Sequence, residues 1–182
     1  QWGVNSAMIK LDEFKLVHLK LNWMTILIGW EGPGKFEPQL TPKEVINFAI
    51  DQIGIGNSNN ENLITLASCN ENETEKIDVL IRKLAQQENV ARENELRKWR
   101  VLIVKQSIVK IRQEPLYGLI ELTELWDKFG FPGDSPHIIQ GLRNNLSPID
   151  YYREENFRQI IERHKEWIDY ELVFLHDYEK LC

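Results

Sequence analysis

The segment TPKEVINFAIDQIG, residues 41–54, shows in small what constrains this chain most. Thr41 stands as an N-cap and Pro42 at the first helical position, with Glu44 three residues after the cap. Together they form a capping box that satisfies the free amides of a helix start. Val45, Ile46, Ala49, Ile50 and Ile53 then recur at helical spacing as one apolar stripe, and Gly54 marks a stop. The pattern repeats along the chain. NSNNENLITLASC has Leu63, Ile64 and Ala67 as its buried positions. NETEKIDVLIRKLAQQ places Ile77, Leu80, Ile81 and Leu84 at i, i+3, i+4 and i+7. EPLYGLIELTELWDKFG opens at Pro115 and closes at Gly130. DSPHIIQGL reads as a short helix begun by Ser135 and Pro136, SPIDYYREEN as a turn-like joint, and a last helix runs from about Arg153 towards Leu181. Two short helices, DEFKLVHLKL and NWMTILIGW, separate near Asn22.

No stretch alternates over a strand's length with a hairpin turn after it. VLIV, residues 101–104, is strand-like only in isolation, because it lies inside a longer helical pattern. The expected architecture is all-α: a single-domain helical bundle or a short stack of helical hairpins. At 182 residues one domain suffices, assigned to 8–182. Residues 1–7 precede the natural-looking MIKLDEF and are read as tag-derived or upstream sequence. The longest uncharged apolar run, Leu21 to Trp30, falls short of the roughly 20 residues a membrane span needs. Two distant cysteines, Cys69 and Cys182, make no disulfide framework, and the N-terminus lacks a secretory leader pattern. Both suit the cytoplasm. The loop GWEGPGKFEP is expected at the surface beside Trp30 and Phe36.

Charge is unevenly laid out. Residues 31–75 hold eight acids against two bases, 76–112 hold four against ten, and 150–182 hold nine against five, for a net charge of −6. An acidic total argues against a dedicated duplex binder and suits a basic partner. The basic block centres on RKWRVLIVKQSIVKIRQ, residues 97–113, with six bases and no acid. On a helical wheel Arg97, Lys98, Lys105 and Arg112 share a narrow seam on a helix otherwise apolar nearly all round. Such a helix belongs in the middle of a bundle, its seam solvated or paired with acids of neighbouring helices.

Catalytic chemistry is not legible. The four histidines have no metal-ligand spacing. His164 lies in line with Phe157, Ile161, Ile168 and Leu172, as a core histidine does. No serine or cysteine sits in a nucleophile motif, and GIGNSN lacks the lysine of a phosphate loop. The chain is therefore read as no enzyme, with no catalytic residues, no metal and no cofactor. The last helix carries the most legible surface: Glu155, Glu162, Glu166 and Asp169 gather opposite its apolar face. Glu71 and Glu73, in NENETE, form a second acidic candidate, although acids before a helix also simply favour its dipole. Trp30, beside the Gly/Pro loop, is the tryptophan most expected to be partly exposed and to anchor an interface.

Taken in order, NWMTILIGW, LTPKEVINFAIDQI, RKWRVLIVKQ and EPLYGLIELTELWDKFGFPGD resemble a family of small bacterial proteins. Its members resemble immunity proteins encoded beside polymorphic toxins, including those of contact-dependent growth inhibition. The likeness covers nearly all of the chain from Met8 and rests on helix pattern and the FGFP turn at 129–132. It implies a cytoplasmic protein that binds the C-terminal toxin domain of its own locus, often a basic RNase, and blocks it without touching nucleic acid or membrane. No functional residue carries over. The expected toxin-binding set, Glu155, Glu162, Glu166, Asp169, Glu71, Glu73 and Trp30, therefore comes from charge and exposure alone. The alternative is a helical RNA-associated or regulatory protein using the seam 97–112.

Overall fold

The computed structural model describes residues 8–56 and 59–182; residues 1–7, read above as tag or upstream sequence, lie outside them. Nine helices and no strand occur among the described residues. They are α1 (Leu11–Leu16), α2 (Trp23–Glu31), α3 (Pro42–Gly54), α4 (Glu61–Ala67), α5 (Thr74–Gln86), α6 (Arg92–Lys110), α7 (Pro115–Lys128), α8 (Pro148–Tyr151) and α9 (Glu154–Glu179). The all-α expectation holds.

Helix α6 is the axis. It packs on α9 along one side and on α2 and α1 along another; α2 also packs on α5, α3 pairs with α4, α4 with α5, and α7 and α8 lean on α9. A run of buried residues from Trp99 to Val104 explains why α6 is apolar nearly all round: neighbours cover most of its circumference. Trp99 is fully buried, its indole N–H donating to the Thr25 carbonyl at 2.8 Å. Its ring meets the edge of Phe14 at 4.8 Å, within the range of favourable T-shaped pairs.

Glycine is required where helices come closest. A β-carbon at Gly29 would strike Cζ2 of Trp99 and reach 3.0 Å from Cδ1 of Leu40. One at Gly118 would lie 2.6 Å from the Arg112 carbonyl oxygen and the Phe157 ring. Gly29→Ala is expected to cost about 1–3 kcal/mol by overpacking, measured by urea unfolding. Gly29→Ala combined with Trp99→Leu should cost less than the two single changes summed, because both act on one contact. Additivity would mean that the ring does not fill that notch.

The Thr41 cap is where the sequence puts it, α5 starts without a side-chain cap, and α4 and α7 gain caps that the sequence reading did not name. Thr41 Oγ1 accepts from Glu44 N and the Glu44 carboxylate accepts from Thr41 N at 2.8 Å. Asn60 and Glu114 cap α4 and α7 with their side chains. Several details differ from expectation. Ile50 and Ile64 are exposed, while Phe48 and Leu66 are buried. Phe48 packs edge-on against Trp23 at 5.0 Å, which turns the α3 stripe towards α2. The Gly/Pro loop is not merely superficial. Phe36 is buried against Phe129, and Lys35 N donates to the Lys128 carbonyl at 2.9 Å.

Residues 135–140 are not a helix. The carbonyls that a helix would use internally are taken from outside: Tyr151 Oη donates to Ile138 O at 2.7 Å, Asn144 Nδ2 to Ile139 O at 2.8 Å and Arg163 Nε to Pro136 O at 3.3 Å. Gly141 and Arg143 then adopt positive φ, which ends any helical continuation. Conversely, the joint SPIDYYREEN contains the single turn α8, capped by Ser147, whose Oγ accepts from Asp150 N at 3.1 Å.

Candidate functional site

Helix α9 has two chemically different faces. Phe157, Ile160, His164, Ile168, Glu171, Leu175 and Glu179 are buried against the rest of the protein. Glu155, Glu162, Glu166 and Asp169 are all exposed, and their spacing of seven, four and three residues keeps them on one outward stripe. At about 1.5 Å per residue the stripe runs roughly 21 Å. Tyr170 and Val173 stand on the same side, 78% and 60% exposed. Phe174, at the margin, lies under the Arg97 guanidinium, 3.6 Å from ring centroid to Cζ. Lys165 pairs with Glu162 at 2.7 Å, and Arg158 with Glu154 at 3.4 Å. These pairs are mostly solvated and contribute little to stability.

The other candidates lie elsewhere. Glu73 precedes α5 and is spent locally: its carboxylate accepts from Asn70 N at 2.7 Å and meets Lys76 at 3.4 Å. That backbone bond, more than the lysine, holds it below the usual carboxylate range. Glu71 is exposed in the same turn. Trp30 is half-buried and donates its indole N–H to Asp78 at 3.0 Å. It thereby joins a network in which Glu31 holds both Arg82 and Arg92. The turn before α5 and Trp30 thus belong to the α2–α5 side, whereas α9 packs chiefly on α6, α7 and α8. The structure does not bring the seven expected residues into one site.

The basic seam does not form a basic face. Lys98 is fully buried, with Nζ 2.7 Å from Glu95, 2.9 Å from Glu179 and 2.9 Å from the Lys20 carbonyl. Arg97 grips Glu171 through Nε and Nη2 at 2.7 and 2.8 Å. Arg100 reaches Asp134 at 2.7 Å and Glu171 at 3.1 Å, and Arg112 pairs with Glu121 and stacks on Tyr117. Of the four seam residues, Lys105 alone is an exposed cation with no ion pair among the described residues. Glu95, Glu171 and Glu179 are the internal partners. Sequence reading missed them because charged residues on an apolar stripe break the pattern that identifies a core. The one local signal was the i, i+3 spacing of Glu95 and Lys98.

His164 is a core histidine, as expected. Trp126 donates its indole N–H to Nε2 at 2.9 Å, so Nδ1 carries the proton and bonds the Ile160 carbonyl at 2.7 Å. His137 lies 6.0 Å away, ring to ring, with Nε2 at 2.8 Å from Thr123 Oγ1. Burial holds His137 down to about 3 and His164 to about 4. Both are neutral and hydrogen-bonded, His164 inside the core and His137 partly buried at its edge. Cys69 is buried, and burial pushes its thiol up, away from the nucleophilic thiolate. No group of three metal-ligating side chains converges among the described residues, and no helix there is long and apolar enough to cross a membrane.

A polar cleft of about 910 Å³ opens where the start of α2 meets the α3–α4 corner and the end of α5. Glu88 lies in its wall, where its carboxylate accepts from Met24 N at 3.1 Å at the start of α2. Burial pushes this carboxyl up to about 7.

Among known families, the model described as "Uncharacterized protein conserved in bacteria (DUF2247)" matches residues 11–172. No curated protein and no solved structure matches the chain.

Proposed function

From the premise that this chain belongs to the bacterial DUF2247 family, we propose that it is a protein-binding inhibitor. In this reading it is an immunity protein that docks a basic toxin domain through the outward face of α9, in the cytoplasm where such a toxin acts. One observation carries the reading. Glu155, Glu162, Glu166 and Asp169 form an exposed carboxylate stripe with the solvent-facing Tyr170 and Val173 set into it. Carboxylates supply steering and register, while an exposed aromatic supplies the apolar contact that a charge stripe alone lacks. Pairing of Arg97, Lys98 and Arg100 with the buried Glu95, Glu171 and Glu179 supports it further, because it takes three of the α6 cations away from a surface that would attract nucleic acid instead.

An RNase-type toxin needs a basic cleft for its phosphate substrate, and a carboxylate stripe laid along that cleft blocks it by charge complementarity. Neutralisation demands tight binding, about −12 kcal/mol for a nanomolar pair. The partner is the basic C-terminal toxin domain encoded beside this gene. Glu162→Lys with Glu166→Lys is expected to slow association with that domain at least about ten-fold at low salt and to flatten the salt dependence. Tyr170→Ala should act mainly on dissociation. Unchanged association, with unchanged salt dependence, excludes this face as the docking surface. A neighbouring toxin domain that does not bind the intact protein excludes the immunity reading itself.

A further inference from the structure

The cleft between α2, α3, α4 and α5 is separate from α9, which contributes nothing to its lining. Its walls have an unusual chemistry. The carboxamides of Asn22, Gln52, Asn60, Asn62 and Gln87 surround it, and Glu61 and Glu88 add two carboxyls. The Trp23 indole completes one side. Among the described residues, no lysine, arginine or histidine lines it. The amides are held in place: Asn60 accepts from Asn62 N and Leu63 N with its oxygen and donates Nδ2 to Gln87 Oε1 at 2.8 Å. Asn22 Nδ2 donates to the buried Glu95.

A wall without cations is unsuited to phosphate or carboxylate ligands, which need positive partners. Amide oxygens, two carboxyls and an indole suit a positively charged nitrogen. Asn60 Oδ1 is filled by the two α4 amides, but Gln87 Oε1 keeps a lone pair beyond its bond from Asn60 to accept a hydrogen bond, the carboxyls supply charge and the ring offers a cation–π contact. We propose that this cleft binds an organic cation, a primary ammonium or guanidinium group, with Glu88 and Glu61 as its charged partners. Either a free polyamine or the lysine or arginine side chain of a partner protein presents that chemistry.

The groups around Glu88 fix how binding is read. Glu95 and Lys98 lie behind it on α6 and influence it with opposite signs. Lys20 and Glu179 line the smaller cavity, about 340 Å³, on its other side. Glu61 faces the same cleft. A cation arriving at a carboxyl that titrates near 7 drives its proton off, so binding near neutrality releases protons.

The test is titration calorimetry of the whole protein with spermidine, in two buffers of different ionisation enthalpy. A capped Gly-Lys-Gly peptide gives a second arm, maltose serves as the neutral control, and side-chain amide NMR runs in parallel. Expected are saturable spermidine or peptide binding, proton release on binding, and shifts of the Asn60, Asn62 and Gln87 amide signals. Spermidine alone binding identifies a free ligand; the peptide binding as well identifies a side-chain cation as sufficient. Glu88→Gln keeps an acceptor for the α2 amides, yet should weaken binding about ten-fold and abolish proton release. Glu61→Gln, on an exposed position, should weaken it in the same direction without affecting folding. No saturable cation binding, maltose binding in preference, or binding indifferent to both substitutions overturns the proposal.

Discussion

Replacing Lys98 with methionine is expected to remove about 3–5 kcal/mol of folding free energy, measured by urea unfolding. The side chain sits at full burial between Glu95 and Glu179. Glu95 also accepts from Thr25 Oγ1 at 3.1 Å, and Glu179 accepts from Lys20 N at 2.7 Å. Methionine matches the stem but leaves both carboxylates inside without a countercharge, the costliest way to break a buried ion pair. The triple change Lys98→Met, Glu95→Gln and Glu179→Gln should recover much of the loss, because amides keep hydrogen-bonding capacity and carry no charge. A Lys98→Met protein within about 1 kcal/mol of the parent would place these carboxylates in contact with water, contrary to the packing described. The cluster joins the segment after α1, the first two turns of α6 and the last turn of α9. Its loss should therefore loosen the far end of α9 first.

Acidification is the second large effect. The ordinary histidine value is 6.5, and burial holds His137 near 3 and His164 near 4 in the folded protein. Below pH 6.5 the unfolded chain takes up two protons that the folded protein refuses. Their contribution to stability is thus complete above pH 6.5 and is lost on acidification, at about 1.4 kcal/mol per pH unit for each histidine. Glu88 runs in the opposite sense. Its folded value of about 7 lies above the ordinary 4.5, so its contribution is present below pH 4.5 and is lost as pH rises through 7. Between these limits two histidines oppose one carboxyl, and the sum of the three favours unfolding as pH falls. Moving from about pH 7 to about pH 5 should cost the parent about 4 kcal/mol more than a His137→Gln, His164→Gln double variant. Equal losses in the two proteins would show that the rings are hydrated and titrate normally.

The helices were legible where local chemistry decides them. Thr41 with Glu44, Pro115 at the start of α7, and the i, i+3, i+4 series in α5 need only near neighbours, and all appear in the structure. Residues 135–140 were misread because Tyr151 and Arg163, 13 and 27 residues from the carbonyls they bind, help set their conformation and lie beyond a local pattern. The same limit hid the ion-pair network. Arg97 and Glu171 stand 74 residues apart, and Lys98 and Glu179 stand 81 apart. The seam was expected inside a bundle, solvated or paired with acids of neighbouring helices, but no local pattern names which acids those are. The exposed stripe of α9 was legible because a helical wheel suffices once the apolar side is known. Trp30 is partly exposed, as expected, but Asp78 engages its indole and Asn70 engages Glu73, contacts that a helical wheel does not supply. The polar cleft draws on four helices and had no signature in any one segment.

Helix α9 spends glutamate in two currencies. Glu171 and Glu179 are fixed by guanidinium and ammonium partners inside the fold, whereas Glu155, Glu166 and Asp169 are exposed and form no ion pair among the described residues. Surface changes away from such internal contacts typically shift stability by no more than about 0.5 kcal/mol. The outward side can therefore be rewritten residue by residue while the inward side holds the helix in register. A partner's surface can drift and be followed by single substitutions on α9, none of which has to pass through an unfolded or misassembled protein. In that sense the helix separates the instructions for shape from the instructions for recognition along its own length.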